Sequence, residues 1–151
     1  GPDEEKLRAL VTEKGLDDRV WFTGQVERSE VSKYRFAADI FVGPSRSEGL
    51  GHAFLSAMAC KLPVITTQVG GIKDFLFDAA RNPDQPTTGW AVDPDEPEQI
   101  VAAVHDILDH PEKTAEVVAN AHKMVLEDYD WDKIAVKMQE KVFTPLWKNP
   151  T

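Results

Sequence analysis

Residues 39–61 read DIFVGPSRSEGLGHAFLSAMACK, and the fold class can be predicted from this stretch. Residues 39–42 form a short, largely apolar run that Gly43-Pro44 stops, which predicts a buried strand. Residues 51–61 are apolar nearly all round, which predicts a helix buried on both sides. A glycine-containing turn, residues 43–52, joins the two. A strand, a glycine-rich turn and a helix in this order are typical of a parallel α/β sheet.

The alternation of strand and helix continues on both sides of this stretch. Apolar runs bounded by glycine or proline predict further strands at residues 20–24, 63–67 and 89–92. Helical spacing predicts helices before Gly15 and at residues 29–38, 70–77, 97–108, 111–126 and 131–146. Short strands separated by helices predict a Rossmann-like α/β fold, in which a parallel sheet carries helices on both faces.

Composition and charge narrow the range of functions. The 151 residues include 26 acidic and 17 basic side chains, which gives a net charge of −9. A negative surface disfavours nucleic acid and anionic membranes as partners. No apolar stretch reaches the roughly 18 to 20 residues that span a bilayer. The chain has one cysteine, Cys60, which excludes a disulfide framework and which we expect to be buried. We therefore expect a cytoplasmic protein, and a longer parent protein could still contact a membrane peripherally.

The turn at residues 43–52 is the place where we expect a ligand. In an open parallel sheet, ligands bind beyond the carboxyl ends of the strands. Gly49 and Gly51 would let the backbone approach a ligand closely, and the helix that follows offers unpaired N–H groups and the positive end of its dipole. Those features suit a diphosphate. Glycine-rich turns between strand and helix also occur without any ligand, so the turn alone leaves both interpretations open.

Several ordered blocks together resemble a known family, the group 1 retaining glycosyltransferases of GT-B architecture. The blocks are Phe22-Thr23-Gly24, Ala38-Asp39-Ile40, Pro44-Ser45-x-x-Glu48-Gly49-Leu50-Gly51, Ala57-Met58-Ala59-Cys60-x-Leu62-Pro63-Val64-Ile65, Val69-Gly70-Gly71-Ile72, Gly89-Trp90, Asp95 and Asp130-Trp131. Because they extend over nearly the whole chain in the family's order, they are far more specific together than any one of them is alone.

The resemblance implies a place for this chain within a larger enzyme. Members of the family close two Rossmann-like domains over a cleft, and the C-terminal domain holds the nucleotide sugar. The chain resembles that domain from a point inside it, so we expect a truncated N-terminus. Residues 1–129 are then a partial nucleotide-sugar-binding domain. Residues 130–151 are a C-terminal helix that packs toward a missing N-terminal acceptor domain.

The resemblance also assigns roles to individual residues. Glu48 matches the first glutamate of the family's E-x7-E motif, which contacts the donor sugar, and it is the candidate catalytic residue. The other candidates for substrate binding are Gly24, Gln25 and Val26 at the nucleobase, and Ser45, Gly49, Leu50, Gly51, His52 and Ser56 at the sugar, diphosphate and ribose. Neither a metal nor a cofactor is expected. Alternatively, Glu48 is a carboxylate at the start of a helix that stabilises the helix dipole. His52 lies one turn away, but no third ligand for a metal ion is apparent.

The chain departs from the family pattern at three points. Ser56 stands where the second glutamate of E-x7-E is expected, so the contact with the ribose is weakened or mediated by water. Lys61 stands where the family has glycine. The basic pair that holds the diphosphate would lie upstream of Gly1, and no residue here takes that role. Trp131 and Trp147, at helical positions, are expected to pack rather than to stack on a sugar.

Two functions from different classes remain after these departures. The first is a glycosyltransferase fragment that binds a nucleotide-activated sugar for retaining transfer to an unknown acceptor. The second, suggested by Ser56, is a degenerate domain without catalysis that binds sugar nucleotides or acts as a scaffold. A GT-B epimerase is a third and less favoured alternative. The fragment is expected to be inactive alone and to self-associate, because residues 20–22 and 39–42 would have lost neighbouring strands.

Overall fold

A computed structural model of the protein describes residues 2–148, with side-chain environments up to Trp147. The chain divides after Tyr34 into two compact units. The first unit contains α1 (Glu4–Glu13) and an irregular segment up to α2 (Val31–Phe36), a helix that crosses the boundary. Within this unit, the guanidinium of Arg8 lies 4.5 Å above the ring of Phe22.

The prediction of a strand at residues 20–24 is wrong. The segment is irregular, and the Trp21 side chain is 86% exposed. A parallel strand needs a neighbour to accept and donate its backbone hydrogen bonds, and within the described residues no strand pairs with this segment. The apolar run therefore keeps the composition of a strand without forming one.

The second unit is built on a parallel sheet of the three strands expected downstream of residue 38. They are β1 (Phe41–Gly43), β2 (Val64–Thr67) and β3 (Trp90–Val92), in the order β1-β2-β3. In the register of the sheet, Val42 faces Ile65 across β1 and β2, and Ile65 faces Trp90 across β2 and β3. All four residues of β2 are buried, as expected for the central strand of a parallel sheet.

Two apolar clusters cover the two faces of this sheet. On one face, Val64 packs with Phe54 and Met58 of α3 (His52–Ala59) and with Val125 of α5 (Pro111–Asp128). On the other face, Ile65 packs with the core residues of α4 (Pro97–Asp109). Neighbouring residues of a strand point to opposite faces, so Val64 and Ile65 place apolar side chains on both faces of the sheet. Helices therefore cover both faces. The predicted Rossmann-like α/β fold is confirmed.

The helix expected at residues 131–146 is present in three parts. It consists of α6 (Trp131–Met138), a π-helical turn (Gln139–Phe143) and α7 (Thr144–Lys148), and residues 149–151 lie outside the described part of the chain. Asp130 caps α6 by accepting hydrogen bonds from the backbone N–H groups of Asp132 and Lys133, at 3.0 and 3.1 Å. Trp131 is 74% exposed and Trp147 is 86% exposed within this chain, so the expectation that they pack rather than stack on a sugar stays a prediction. No helix among residues 2–148 combines the length and the apolar character needed to cross a membrane.

The end of α3 holds a residue in a conformation that favours glycine. The N–H of Lys61 donates to the carbonyl of Met58 at 3.0 Å and that of Leu62 to the carbonyl of Ala57 at 3.1 Å, which is the Schellman pattern of a helix C-terminus. Lys61 itself has φ of +60°, whereas α1 ends in the same pattern with Gly15 at φ +63°. Cys60, expected to be buried, is half-buried beside it.

We predict that Lys61→Gly stabilises the protein by about 1 kcal/mol. A left-handed conformation costs a residue with a Cβ roughly 1 to 2 kcal/mol, and glycine avoids this cost. Part of the gain is lost because glycine makes the unfolded chain more flexible. Urea unfolding measures the difference. Lys61→Ala is the matched control, since it removes the exposed side chain and keeps the Cβ, and it should stay within about 0.5 kcal/mol of the parent. Equal stabilisation by both variants would contradict the backbone explanation.

Candidate functional site

The loop predicted to bind a ligand lies at the carboxyl edge of the sheet. Residues 44–51 follow β1, residues 68–69 follow β2 and residues 93–96 follow β3. Because the three strands are parallel, these segments meet at one edge, where α/β proteins bind their ligands. Three sets of contacts, all within the second unit, fix the position of the first segment.

The first contact comes from the end of β2. Thr66 and Thr67 are fully buried. The Thr66 hydroxyl donates to the carbonyl of Gly43 at 2.7 Å, and the Thr67 hydroxyl donates to the carbonyl of Ser45 at 2.5 Å. These hydroxyls therefore extend the attachment between β1 and β2 past the last residues of the strand ladder. Sequence reasoning missed them because threonine is also a common strand residue.

The second contact joins the loop to Gly70 and Gly71, which open a 3-10 helix (Gly70–Asp74). The N–H of Gly71 donates to the carbonyl of Gly49 at 2.8 Å. A Cβ on Gly71 would lie 2.5 Å from that oxygen, and a Cβ on Gly70 would overlap the carbonyl of Glu48. Backbone therefore packs directly on backbone here, which explains why both positions are glycine.

The third contact is an ion pair across the sheet. The guanidinium of Arg46 binds the carboxylate of Asp95 through Nε at 3.0 Å and through Nη2 at 2.6 Å. The hydrogen bonds that Arg46 donates to Asp95 hold the pKa of Asp95 below its ordinary value and raise the pKa of Arg46. Both side chains are exposed, so the pair adds little stability, but its two-point geometry ties the loop after β1 to the segment after β3.

With the loop fixed in this way, a run of backbone donors is left unused. Within the described residues, the N–H groups of Leu50, Gly51, His52 and Ala53 donate to no acceptor. Gly51 is buried and has φ of +82°, and it forms the N-cap of α3 without a side-chain cap. Leu50, His52 and Ala53 are exposed, so water or a ligand can accept the hydrogen bonds that the first turn of a helix leaves unmade. The loop and the first turn of α3 thus present donors where an anion would be bound.

The predicted catalytic residue, Glu48, is half-buried at the start of this run. Its Oε1 accepts a hydrogen bond from the N–H of Gly49 at 3.3 Å, which is long for such a bond. His52 is exposed at the first position of α3, and Ser45 is half-buried. No group of three or more His, Cys, Asp or Glu side chains among residues 2–148 is arranged to hold a metal ion.

Ser56 lies one turn after His52 on the same helix. Its hydroxyl donates to the carbonyl of His52 at 2.7 Å, so its hydrogen is already committed and only its lone pairs are left for a ligand. Ser56 and His52 line a cavity of about 210 Å³ between α3 and the segment that includes Tyr129, Trp131 and Ile134.

The structure thus brings together, in the second unit, the candidates from Ser45 to His52 and Ser56. Gly24, Gln25 and Val26 lie in the irregular segment of the first unit, where Gly24 has φ of +64° and Val26 is half-buried. Their proximity to the loop stays a prediction. Arg46 and Asp95 were not predicted as partners because 49 residues separate them along the chain.

Similarity to known proteins assigns the chain to a family of glycosyltransferases. The chain belongs to the family described as glycosyl transferases group 1, whose family model matches residues 1–124. It is 32% identical over 144 residues to the sulfoquinovosyl transferase of Arabidopsis thaliana, in an alignment that covers 95% of this chain and 26% of that protein.

Solved structures agree with this assignment. Sucrose-phosphate synthase from Thermosynechococcus elongatus superposes on this chain with a TM-score of 0.80 at 30% identity. The alignment covers 98% of this chain and 35% of the synthase. The Anabaena protein HepE, solved in complex with UDP-glucose, superposes with a TM-score of 0.79 at 22% identity and covers 93% of this chain and 36% of that one, which shows a shared fold. The chain therefore spans about a quarter to just over a third of the length of these proteins.

The close approach of Gly71 to Gly49 generates a prediction. Gly71→Ala should destabilise the protein by about 1 to 3 kcal/mol, because its Cβ would collide with backbone atoms that cannot move without displacing the loop. Gly49→Ala adds the same atom to the same loop where nothing lies within 4 Å, so it should cost no more than about 0.5 kcal/mol. Urea unfolding compares the two variants. Equal effects would show that the loop does not rest on Gly71.

Proposed function

We propose that this chain binds the nucleotide-sugar donor in a retaining glycosyltransferase that transfers the sugar to an acceptor held by another part of the enzyme. The observation that carries the proposal is the run of unpaired backbone donors from Leu50 to Ala53 at the carboxyl edge of the sheet. Membership of the glycosyl transferases group 1 family supports it, and so does the shared fold of a protein that was solved with UDP-glucose.

The chemistry follows from the charge of the leaving group. When the sugar departs, the nucleoside diphosphate gains negative charge, and donors that are already fixed in place stabilise this charge at no cost of reorganisation. The N–H groups of Gly51, His52 and Ala53 supply such donors, and the dipole of α3 adds to their effect. The net charge of the chain is −9, so these local dipoles must act against the field of the whole protein.

Glu48 is proposed to contact the donor sugar. Its present hydrogen bond from the N–H of Gly49 is long, and a sugar hydroxyl would be a better donor to the same oxygen. The contacts that fix Gly49 and Ser45 hold the backbone on both sides of Glu48, so the carboxylate is confined to this edge of the sheet.

Ser56 supports the alternative function, a degenerate domain that has lost catalysis. Since its hydroxyl hydrogen is bound to the carbonyl of His52, Ser56 can accept one hydrogen bond from a ribose hydroxyl but cannot supply the charge of a glutamate. The preserved loop from Glu48 to Gly51 favours the glycosyltransferase.

The C-terminal helix is proposed to pack against an N-terminal acceptor domain. Its exposed large apolar side chains include Trp131, Met138, Val142, Leu146 and Trp147. The relatives are roughly three to four times as long as this chain, which leaves room for a second domain in such enzymes. A second copy of the chain is the alternative cover for these side chains, and we propose self-association when the other domain is absent.

A titration with nucleoside diphosphates tests the proposed donor site. In ¹H–¹⁵N spectra of this chain, UDP or GDP should shift the amide signals of residues 49–53, with a dissociation constant of about 1 mM or weaker, since a site without its basic clamp lacks charged hydrogen bonds worth roughly 1.5 to 3 kcal/mol each. Uridine and guanosine are the controls, because they lack the diphosphate and should leave these signals in place. Shifts confined to other surfaces would contradict the assignment.

The Ser56→Glu variant separates the two functions. If α3 still presents a ribose site, the added carboxylate should tighten the binding of UDP about tenfold, which corresponds to roughly 1.4 kcal/mol. Ser56→Gln has similar length without the charge and should give a smaller gain. Unchanged affinity in both variants, measured by the same titration, would favour the degenerate domain.

A further inference from the structure

A second cavity, of about 250 Å³, lies at the carboxyl edge of the sheet between the segments that follow β2 and β3. Its lining includes Gln68, Lys73, Arg81, Asn82 and Asp93. None of the residues from Ser45 to Ser56 lines it, so it is separate from the donor loop. It nevertheless adjoins that loop, because Val69 lines the cavity and the next two residues, Gly70 and Gly71, contact the backbone of Glu48 and Gly49.

The charges in this cavity do not cancel. Arg81 binds the carboxylate of Asp93 at 2.9 Å, and that carboxylate also accepts a hydrogen bond from Gln99 at 3.1 Å. Lys73 is exposed and forms no ion pair or hydrogen bond with any residue that the structure describes. One uncompensated positive charge therefore remains in a cavity of a protein whose net charge is −9.

The amide side chains add directed donors to this charge. Gln68 donates through Nε2 to the carbonyl of Leu76 at 2.8 Å and to Oδ1 of Asn82 at 2.7 Å. The same Oδ1 accepts from the N–H of Asp78 at 3.1 Å, which fixes the orientation of the Asn82 amide. The Nδ2 group of Asn82 donates to no acceptor among the described residues, so it is left for a ligand.

We propose that this cavity binds an anionic group of a substrate, such as a phosphate or a carboxylate, with Lys73 as its principal ligand and Asn82 as a second donor. An ammonium and an amide together match the oxygen atoms of such a group. Arg81 stays paired with Asp93 and shapes the wall. The assignment to a glycosyltransferase substrate rests on the proposed function, whereas the binding of an anion rests on the cavity alone.

The position at the edge of the sheet explains why a substrate group would reach it. Val69 lines the cavity, and Gly70 and Gly71, which follow it in the chain, contact the backbone of the donor loop. A sugar donor with an acidic substituent could place that substituent in the cavity. So could an acceptor with a phosphate. The chemistry that these two sources share is an oxyanion on a substrate.

A titration of this chain with methyl phosphate tests the anion site directly. The amide signals of Val69, Lys73 and Asn82 should shift, and Lys73→Gln should weaken binding at least fivefold while leaving the rest of the spectrum unchanged, because Lys73 is exposed. Lys73→Arg should restore most of the affinity. Lys141→Gln, on the C-terminal helix, removes the same charge away from the cavity and should leave the affinity unchanged. Equal weakening by Lys73→Gln and Lys141→Gln, or a titration that leaves the signals of Val69, Lys73 and Asn82 in place, would overturn the proposal.

Two further arms identify the source of the anion. If the donor carries it, UDP-glucuronic acid should bind several-fold more tightly than UDP-glucose, and Lys73→Gln should abolish this difference. If the acceptor carries it, the two donors should bind alike and methyl phosphate should bind with unchanged affinity in their presence. The two proposals can fail independently. If methyl phosphate shifts the signals of the cavity but UDP leaves those of residues 49–53 in place, the anion site stands and the proposed function is contradicted.

Discussion

The contact between the backbone of Glu48 and Gly49 and the backbone of Gly70 and Gly71 is the constraint on which the site depends. No side chain fits between these segments, and the hydrogen bond from Gly71 to Gly49 holds them together. The loop after β1 consequently cannot move outward or inward without losing a backbone contact.

Two other sets of contacts act on the same loop from different directions. The buried hydroxyls of Thr66 and Thr67, on β2, hold the first residues of the loop. The ion pair between Arg46 and Asp95 attaches the loop to the segment after β3. Because the backbone is held at three places, its donors can stay unpaired instead of relaxing toward an internal acceptor. A loop fixed before the ligand arrives is what an anion-binding site requires, since no binding energy is then spent on ordering it.

Much of this architecture could be predicted because it is local. The largely apolar runs at residues 39–42 and 63–67 predict strands, the helical spacing predicts the helices, and the glycine-containing turn predicts the position of the loop. The parts that failed depend on distant partners. Residues 20–24 have a strand's composition, but no described strand pairs with them. The pairing of Arg46 with Asp95, and the hydroxyl contacts of Thr66 and Thr67, join segments that no sequence window contains.

A crystal structure of this chain with UDP would show whether the fixed loop binds the diphosphate. If residues 50–53 form the donor site, the diphosphate oxygens will lie within hydrogen-bonding distance, roughly 2.7 to 3.2 Å, of their N–H groups. The loop should also keep its hydrogen bond from Gly71 to Gly49. A diphosphate bound at another surface, or a loop that has left Gly70 and Gly71 in order to bind it, would contradict these expectations.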